Sequence, residues 1–247
     1  MNAATTGALS RVGSAAEDPA ALEDLSRSLE THTPEQRVAW TLANLPGPFV
    51  LSSSFGAQAA VTLHMVSRMA PRMPVVLVDT LYLFPETQQF AGELAARLDL
   101  DLRIYRAPLT AREFEARHGR LWEQGAEGLA RYNEIVKLEP FRRALHELGA
   151  NSWFSGLRRV QSTTRRGLRV LQRLDGRFKV HPVVDWADRD VGKYLKQHGL
   201  PWHPLWDKGY VSIGDWHSTR TLADAGDEQS ARFGGLKREC GLHGLEG

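Results

Sequence analysis

A doubly wound α/β fold with a mostly parallel sheet is predicted by three features of this chain. Apolar runs of strand length alternate with amphipathic segments of ten or more residues, each run ends in a polar or basic loop, and no internal repeat or low-complexity linker interrupts the series. The 247 residues, 42% of them hydrophobic, suffice for one full core with an appended tail. The expected division is a loose segment over 1–33, an α/β domain over 34–220 and a mobile C-terminal tail over 221–247.

The elements follow in order. Residues 1–33 are Ala-rich and polar, although 19–30 has a helical pattern opened by acidic residues. Thr33 before Pro34 and Glu35 reads as an N-cap, with a helix running to Leu45. PFVLSSSFGAQAAVTLHMVSRM reads as a buried strand, a Ser/Gly loop and an amphipathic helix. PVVLVDTLYLFPET repeats that arrangement, and a helix from Glu86 to Leu98 leads into a third strand in LDLRIYRAP. WFSGLRR predicts a strand entering a basic loop, and FKVHPVVDW a further short strand.

Composition narrows the function classes. A net charge of +2 does not provide the field of a non-specific nucleic-acid binder. One cysteine excludes an internal disulfide and, within one chain, a four-thiolate metal or iron–sulfur site. The first 30 residues lack the apolar stretch of a signal peptide, and no later run is long enough to span a bilayer, so a cytoplasmic protein without membrane association is expected.

In a doubly wound sheet ligands bind outside the carboxyl ends of the strands, so SSSFGAQ, DTLYLFPET and SGLRRVQSTTR are expected to face one cleft. The first loop is neither GxGxxG nor a Walker A sequence, yet it places hydroxyls and backbone N–H groups at a helix N-terminus, a natural anion site. Arginines crowd between Arg158 and Arg173, interleaved with Gly156, Gln161, Ser162, Thr163 and Thr164. A Ser-rich turn or a charge run alone also fits an ordinary cap or a solvated face. The lone Cys240 stands in KRECGLHG, among glycines and beside Lys237, Arg238 and His243, a setting for a solvent-accessible nucleophile rather than a core residue. Glu239 opposes thiolate formation, so bound geometry has to favour it. His64 is read as structural, and the tryptophans as core or interface residues.

SSSFGAQAAVTLHMV, VDTLYLFPET, WFSGLRRVQS, PLWDKGYVSIGDWHSTR and KRECGLH together resemble the assimilatory phosphoadenosine phosphosulfate reductases, over about 48–244. The resemblance implies an adenine nucleotide alpha hydrolase-like fold, similar to the ATP pyrophosphatases, in which 34–220 binds nucleotide. It implies reduction of 3′-phosphoadenosine 5′-phosphosulfate to sulfite and adenosine 3′,5′-bisphosphate, with Cys240 as nucleophile and thioredoxin or glutaredoxin as electron donor. Substrate-binding positions carried over are Ser52, Ser53, Ser54, Phe55, Gly56 and Gln58 on the modified pyrophosphate loop, and Asp79 and Thr80 at a strand end. To these are added Lys137, Gly156, Arg158, Arg159, Gln161, Arg165, His217 and Arg220, with Arg238 and His243 in the tail. The family is commonly homodimeric. Leu81 departs from the pattern, standing where many members have Gly.

An iron–sulfur branch, the adenylylsulfate reductases, has cysteines where this chain has Tyr132, Asn133, Asp215 and Ser218. Oxygen and amide side chains do not replace those thiolates, so no bound cofactor, metal or cluster is expected, and the 3′-phosphorylated substrate is implied. The rival readings are a cluster-free adenylylsulfate reductase, an ATP pyrophosphatase-like adenylyltransferase and a nucleotide-binding redox sensor.

Overall fold

A computed structural model of the chain describes residues 18–226 and Ala231. Six strands form one sheet in the order β3-β2-β1-β4-β6-β5. They are β1 (Phe49–Ser52), β2 (Pro74–Asp79), β3 (Asp101–Arg106), β4 (Ser152–Ser155), β5 (Leu171–Leu174) and β6 (Arg177–Val180). All neighbours pair in parallel except β5 and β6. The predicted doubly wound, mostly parallel sheet is therefore the observed fold.

Alternate residues along the central strands face opposite sides. Leu51, Val75, Leu77 and Phe154 join the larger core, and Val50, Val76 and Trp153 the smaller one. Strands covered on both faces bury both sets, which is why β1 and β2 read as near-continuous apolar runs. The larger core is closed by α2 (Pro34–Asn44), α3 (Ala59–Met69), α4 (Pro85–Leu98) and α8 (Asp188–Gln197), through Val38, Leu63, Phe90, Leu94, Val191 and Leu195. Helix α7 (Glu139–Glu147) closes the other side with Phe141, Ala144 and Leu145. Helices α5 (Ala111–His118) and α6 (Gly125–Asn133) build a third cluster with Tyr82, and α9 (Leu222–Ala225) ends the main described stretch.

Helix α2 starts where Thr33 predicts. The Thr33 hydroxyl accepts from the Gln36 N–H while the Gln36 side chain accepts from the Thr33 N–H, a reciprocal capping box. The helical pattern read over 19–30 is present as a helix. Pro19–Leu29 forms helix α1, capped by Asp18, with Ser26 and Leu29 buried. Ser26 Oγ accepts from the Leu171 N–H, and Arg37, 1% exposed, donates to the carbonyls of Leu29, Glu30 and Pro182 and to both oxygens of Asp185. These bonds tie α1 to the sheet edge.

Strand β5 was not among the predicted strands, because its sequence LQRL lies inside the basic run. Its signal is the Asp175–Gly176 turn, whose residues both have positive φ (50° and 76°), the geometry that matches the twist of a two-residue hairpin. No helix among the described residues is long and apolar enough to cross a membrane.

His203, 1% exposed, accepts from the Leu205 N–H through Nδ1 at 3.1 Å and meets Thr87 Oγ1 through Nε2 at 3.0 Å. Burial lowers its pKa from 6.5 to about 4. The unfolded chain thus binds a proton there that the folded chain refuses, so its contribution to stability is complete above pH 6.5 and is lost as pH falls towards 4. Urea unfolding across that interval should show the decline, and His203→Gln should flatten it. An identical slope in the variant would assign the titration elsewhere.

Candidate active site

Strands β1, β2 and β4 end near one another, at Ser52, Asp79 and Ser155. The segments that follow them enclose a cleft of about 380 Å³. Its wall contains Ser52, Ser53, Ser54, Gly56, Gln58, Thr80, Lys137, Gly156, Arg158, Gln161 and Arg165, eleven of the predicted binding residues. The convergence expected at the carboxyl edge of the sheet is thus present.

After β1 the chain turns at Phe55, whose φ is 49° and whose ring is wholly buried in the larger core. Phe55 anchors the loop from below and its N–H donates to Ser53 Oγ at 3.1 Å, while Ser53, Ser54 and Gly56 line the cleft. No side chain caps the N-terminus of α3, so this end keeps the partial positive character that attracts anions. Gly156 is required by a close approach: a Cβ there would lie 2.7 Å from Thr62 Oγ1 of α3. After β2, Leu81 has φ 72°, and its N–H donates to Asp79 Oδ1 at 3.0 Å. A left-handed backbone explains why Gly suits this position, and Leu81 adopts it nonetheless.

Two cations in the cleft wall are held by carboxylates. Arg158, 3% exposed, donates to the Trp186 carbonyl at 3.0 Å, to Asp188 Oδ1 at 2.7 Å and to Gln58 Oε1. Burial pushes the Asp188 carboxyl up, but hydrogen bonds from Arg158 and Gln58 and the Arg158 charge outweigh it, and its pKa falls below the ordinary value. Gln161 Oε1 accepts from the Arg158 N–H at 3.0 Å and from Arg165 Nη1 at 2.7 Å, which sets the basic loop.

Deeper in the wall, Lys137 Nζ lies 2.6 Å from Asp215 Oδ2. Lys137 comes from a π-helical turn, Glu134–Leu138, inserted between α6 and α7. Pro140 explains the insertion: it has no N–H for the Val136 carbonyl, and its ring would clash with that carbonyl in a regular α-turn. Tyr132 Oη donates to Asp215 Oδ2 at 3.0 Å and Thr80 Oγ1 to Oδ1. Burial, then the neighbouring carboxylate, raise the Tyr132 pKa far above the phenol value, so Tyr132 remains a proton donor. Breaking such a buried pair by removing one partner costs about 3–5 kcal/mol.

Among the described residues, five predicted binding residues lie outside the cleft lining. Phe55 is core. Asp79 caps the turn at Leu81 and pairs with Arg106 at 3.7 Å. Arg159 donates to the Leu168 carbonyl at 2.7 Å and pairs with Glu30, bracing α1. His217 stacks on Trp122 at 4.1 Å and reaches Tyr132 Oη at 3.2 Å, one layer behind the wall. Arg220 is exposed, and its N–H donates to the Ala231 carbonyl at 2.9 Å. Arg238, Cys240 and His243 lie outside the described residues. His64 is structural, its Nδ1 3.0 Å from Tyr194 Oη. Trp153 is buried core, whereas Trp206 joins the cleft wall.

Sequence reasoning missed Asp188 and the part played by Asp215, because their partners lie 30 and 135 residues away. Of the positions at which the iron–sulfur branch has cysteines, three come together as hydrogen-bonding groups: Tyr132 Oη donates to Asp215 Oδ2 and Ser218 Oγ to the Asp215 carbonyl at 3.2 Å, while Asn133 is buried. Among the described residues no three His, Cys, Asp or Glu side chains gather as a metal site.

Residues 48–221 match the family model described as the phosphoadenosine phosphosulfate reductase domain. The phosphoadenosine 5′-phosphosulfate reductase of Alkalilimnicola ehrlichii is 56% identical over 227 residues, covering 92% of this chain and 93% of that protein. The crystal structure of the phosphoadenylyl-sulfate reductase of Candida auris, a phosphate complex, is similar with a TM-score of 0.70 and 31% identity, over 81% of this chain and 96% of that one. The FMN adenylyltransferase of Candida glabrata shares the fold, at a TM-score of 0.58 and 17% identity, over 87% of this chain and 77% of that one.

Proposed function

The chain belongs to the phosphoadenosine phosphosulfate reductase family, and from that premise we propose that it reduces 3′-phosphoadenosine 5′-phosphosulfate to sulfite with thioredoxin or glutaredoxin as electron donor. The observation that carries the reading is the cleft itself. Within the matched segment, hydroxyls of Ser52, Ser53 and Ser54, the uncapped end of α3 and the cations Lys137, Arg158 and Arg165 converge on one space, an arrangement for a polyanionic nucleotide.

The Cys240 thiolate attacks the sulfur of the phosphosulfate. An S–S bond forms, the bond from sulfur to the bridging oxygen breaks, and its electron pair leaves on the phosphate of adenosine 3′,5′-bisphosphate. A donor thiolate then attacks Cys240 Sγ, sulfite departs with the electron pair of the S–S bond, and the second donor thiol closes a disulfide. Two electrons pass from the dithiol to sulfur. The leaving phosphate is weakly basic, so the protein's part is to bring two anions together and offset their repulsion. A homodimer in the cytoplasm belongs to the same reading.

The test is to incubate the protein with phosphoadenosine phosphosulfate and no reductant, and to read the intact mass and a peptide map. The expected result is one sulfonate adduct, on Cys240, with adenylylsulfate in a parallel reaction reporting the preference for the 3′-phosphate. Bound nucleotide without an adduct would overturn the reading in favour of a nucleotide-binding sensor.

A further inference from the structure

The Asp215 carboxylate has no place of its own in that reaction, yet it is buried in the cleft wall and closely held. Its side chain is 1% exposed, and that of its partner Lys137 only 6%. Three donors converge on it: Lys137 Nζ at 2.6 Å, Tyr132 Oη at 3.0 Å and Thr80 Oγ1. Each comes from a different element, the π-turn, α6 and the end of β2.

The backbone beneath the carboxylate is fixed as firmly. The Asp215 carbonyl accepts from the Ser218 N–H at 3.1 Å, from Ser218 Oγ at 3.2 Å and from Thr219 Oγ1 at 2.8 Å. Asp215 bridges to Leu83, and the Trp216 N–H donates to the Tyr82 carbonyl at 2.9 Å. Behind Tyr132, His217 is clamped by its stack on Trp122. A Tyr132 hydroxyl that donates to Asp215 accepts from His217 Nε2–H, so the hydrogen-bonded chain runs from His217 through Tyr132 to the carboxylate.

Burying an ammonium and a carboxylate together is expensive, and an apolar pair of the same volume is often at least as stable. Stability alone therefore gives no reason for this pair. Lysine has a long, freely rotating stem and a point charge, so its ammonium is located only by what it contacts. Asp215 supplies that location, and Lys137 itself lines the cleft.

Resting on the reaction proposed above, we propose that Asp215 is a positioning residue that acts through Lys137, holding the ammonium at the point in the cleft wall where the substrate's anionic groups meet it. Thr80 and Tyr132 fix the carboxylate. Asp215 touches no reacting atom.

A double-mutant cycle tests this on the full chain, with sulfite formation, binding of adenosine 3′,5′-bisphosphate by calorimetry, and thermal melting as readouts. Asp215→Asn is expected to lower kcat about 100-fold, the scale of a small misplacement, with the nucleotide Kd changed less than about threefold. The double variant Lys137→Met/Asp215→Asn is expected to be no slower than Lys137→Met alone, since Asp215 then has nothing to position. Additive losses, a wild-type kcat in Asp215→Asn, or a loss of kcat matched by a loss of nucleotide binding would each overturn the proposal.

Should Asp215→Asn fail to fold, Tyr132→Phe removes one donor and leaves the ion pair. It is expected to lower kcat about 3–10-fold at constant nucleotide Kd, and an unchanged kcat there overturns the proposal. A wild-type protein that binds nucleotide but yields no sulfite would instead fail the reaction itself, and this inference with it.

Discussion

Replacing Cys240 with serine is expected to abolish sulfite release and the sulfonate adduct while nucleotide affinity stays within about threefold of wild type. The serine hydroxyl has the same reach but not the reactivity, because a thiol is a few per cent ionised or more near neutrality and an unassisted hydroxyl is not. In the sequence around it, Lys237, Arg238 and His243 would favour the thiolate and Glu239 would oppose it. The basic and hydroxyl groups that would bind nucleotide line a cleft built from β1, β2 and β4, so binding and bond-making separate in this variant. Sulfite formed at the wild-type rate by Cys240→Ser would reject the covalent mechanism. Equal loss of nucleotide binding would mean that residue 240 helps to form the nucleotide site.

Lys137→Met should be the most damaging change within the cleft wall itself, lowering kcat by about 10²–10³-fold, as expected for removing one fixed donor from a site where anionic charge has to be stabilised. Methionine keeps much of the apolar stem, so packing against Val136 and the π-turn is disturbed little, but Asp215 becomes a buried carboxylate without its cation. A loss of stability is expected as well, and the assay belongs well below the melting temperature of the variant. Steady-state kinetics with paired melting curves check the prediction. A KM rise at constant kcat would show that Lys137 contributes uniform binding rather than stabilisation of the departing phosphate.

Much of this architecture was legible in the chain. The strands at Phe49 and Pro74 announce themselves as apolar runs, those at Asp101, Ser152 and Arg177 as short alternating or aromatic stretches, and Thr33-Pro34-Glu35 announces a helix start, because these signals are local. The loops lining the cleft follow from a general property of parallel sheets, which leaves strand ends and helix N-termini at one edge. Strand β5 escaped because its two arginine-neighbouring residues read as loop, although Asp175-Gly176 marked the hairpin. Helix α1 was legible as a helix but not as a packed one, since its anchors on Leu171 and Arg37 are tertiary.

The division between the two levels is physical. By itself the sequence determined the α/β class, a lone cysteine at position 240, and the hydroxyl-rich and basic make-up of the loops that meet at the cleft. Those properties reside in residue type and short spacing. Only the tertiary structure decided which cations face the cleft: Lys137, Arg158 and Arg165 line it, while Arg159 and Arg220 do not. It also decided that Asp215 and Asp188 hold two of those cations. A charge finds its partner in space, across 78 residues between Lys137 and Asp215, and no periodicity along the chain encodes that meeting.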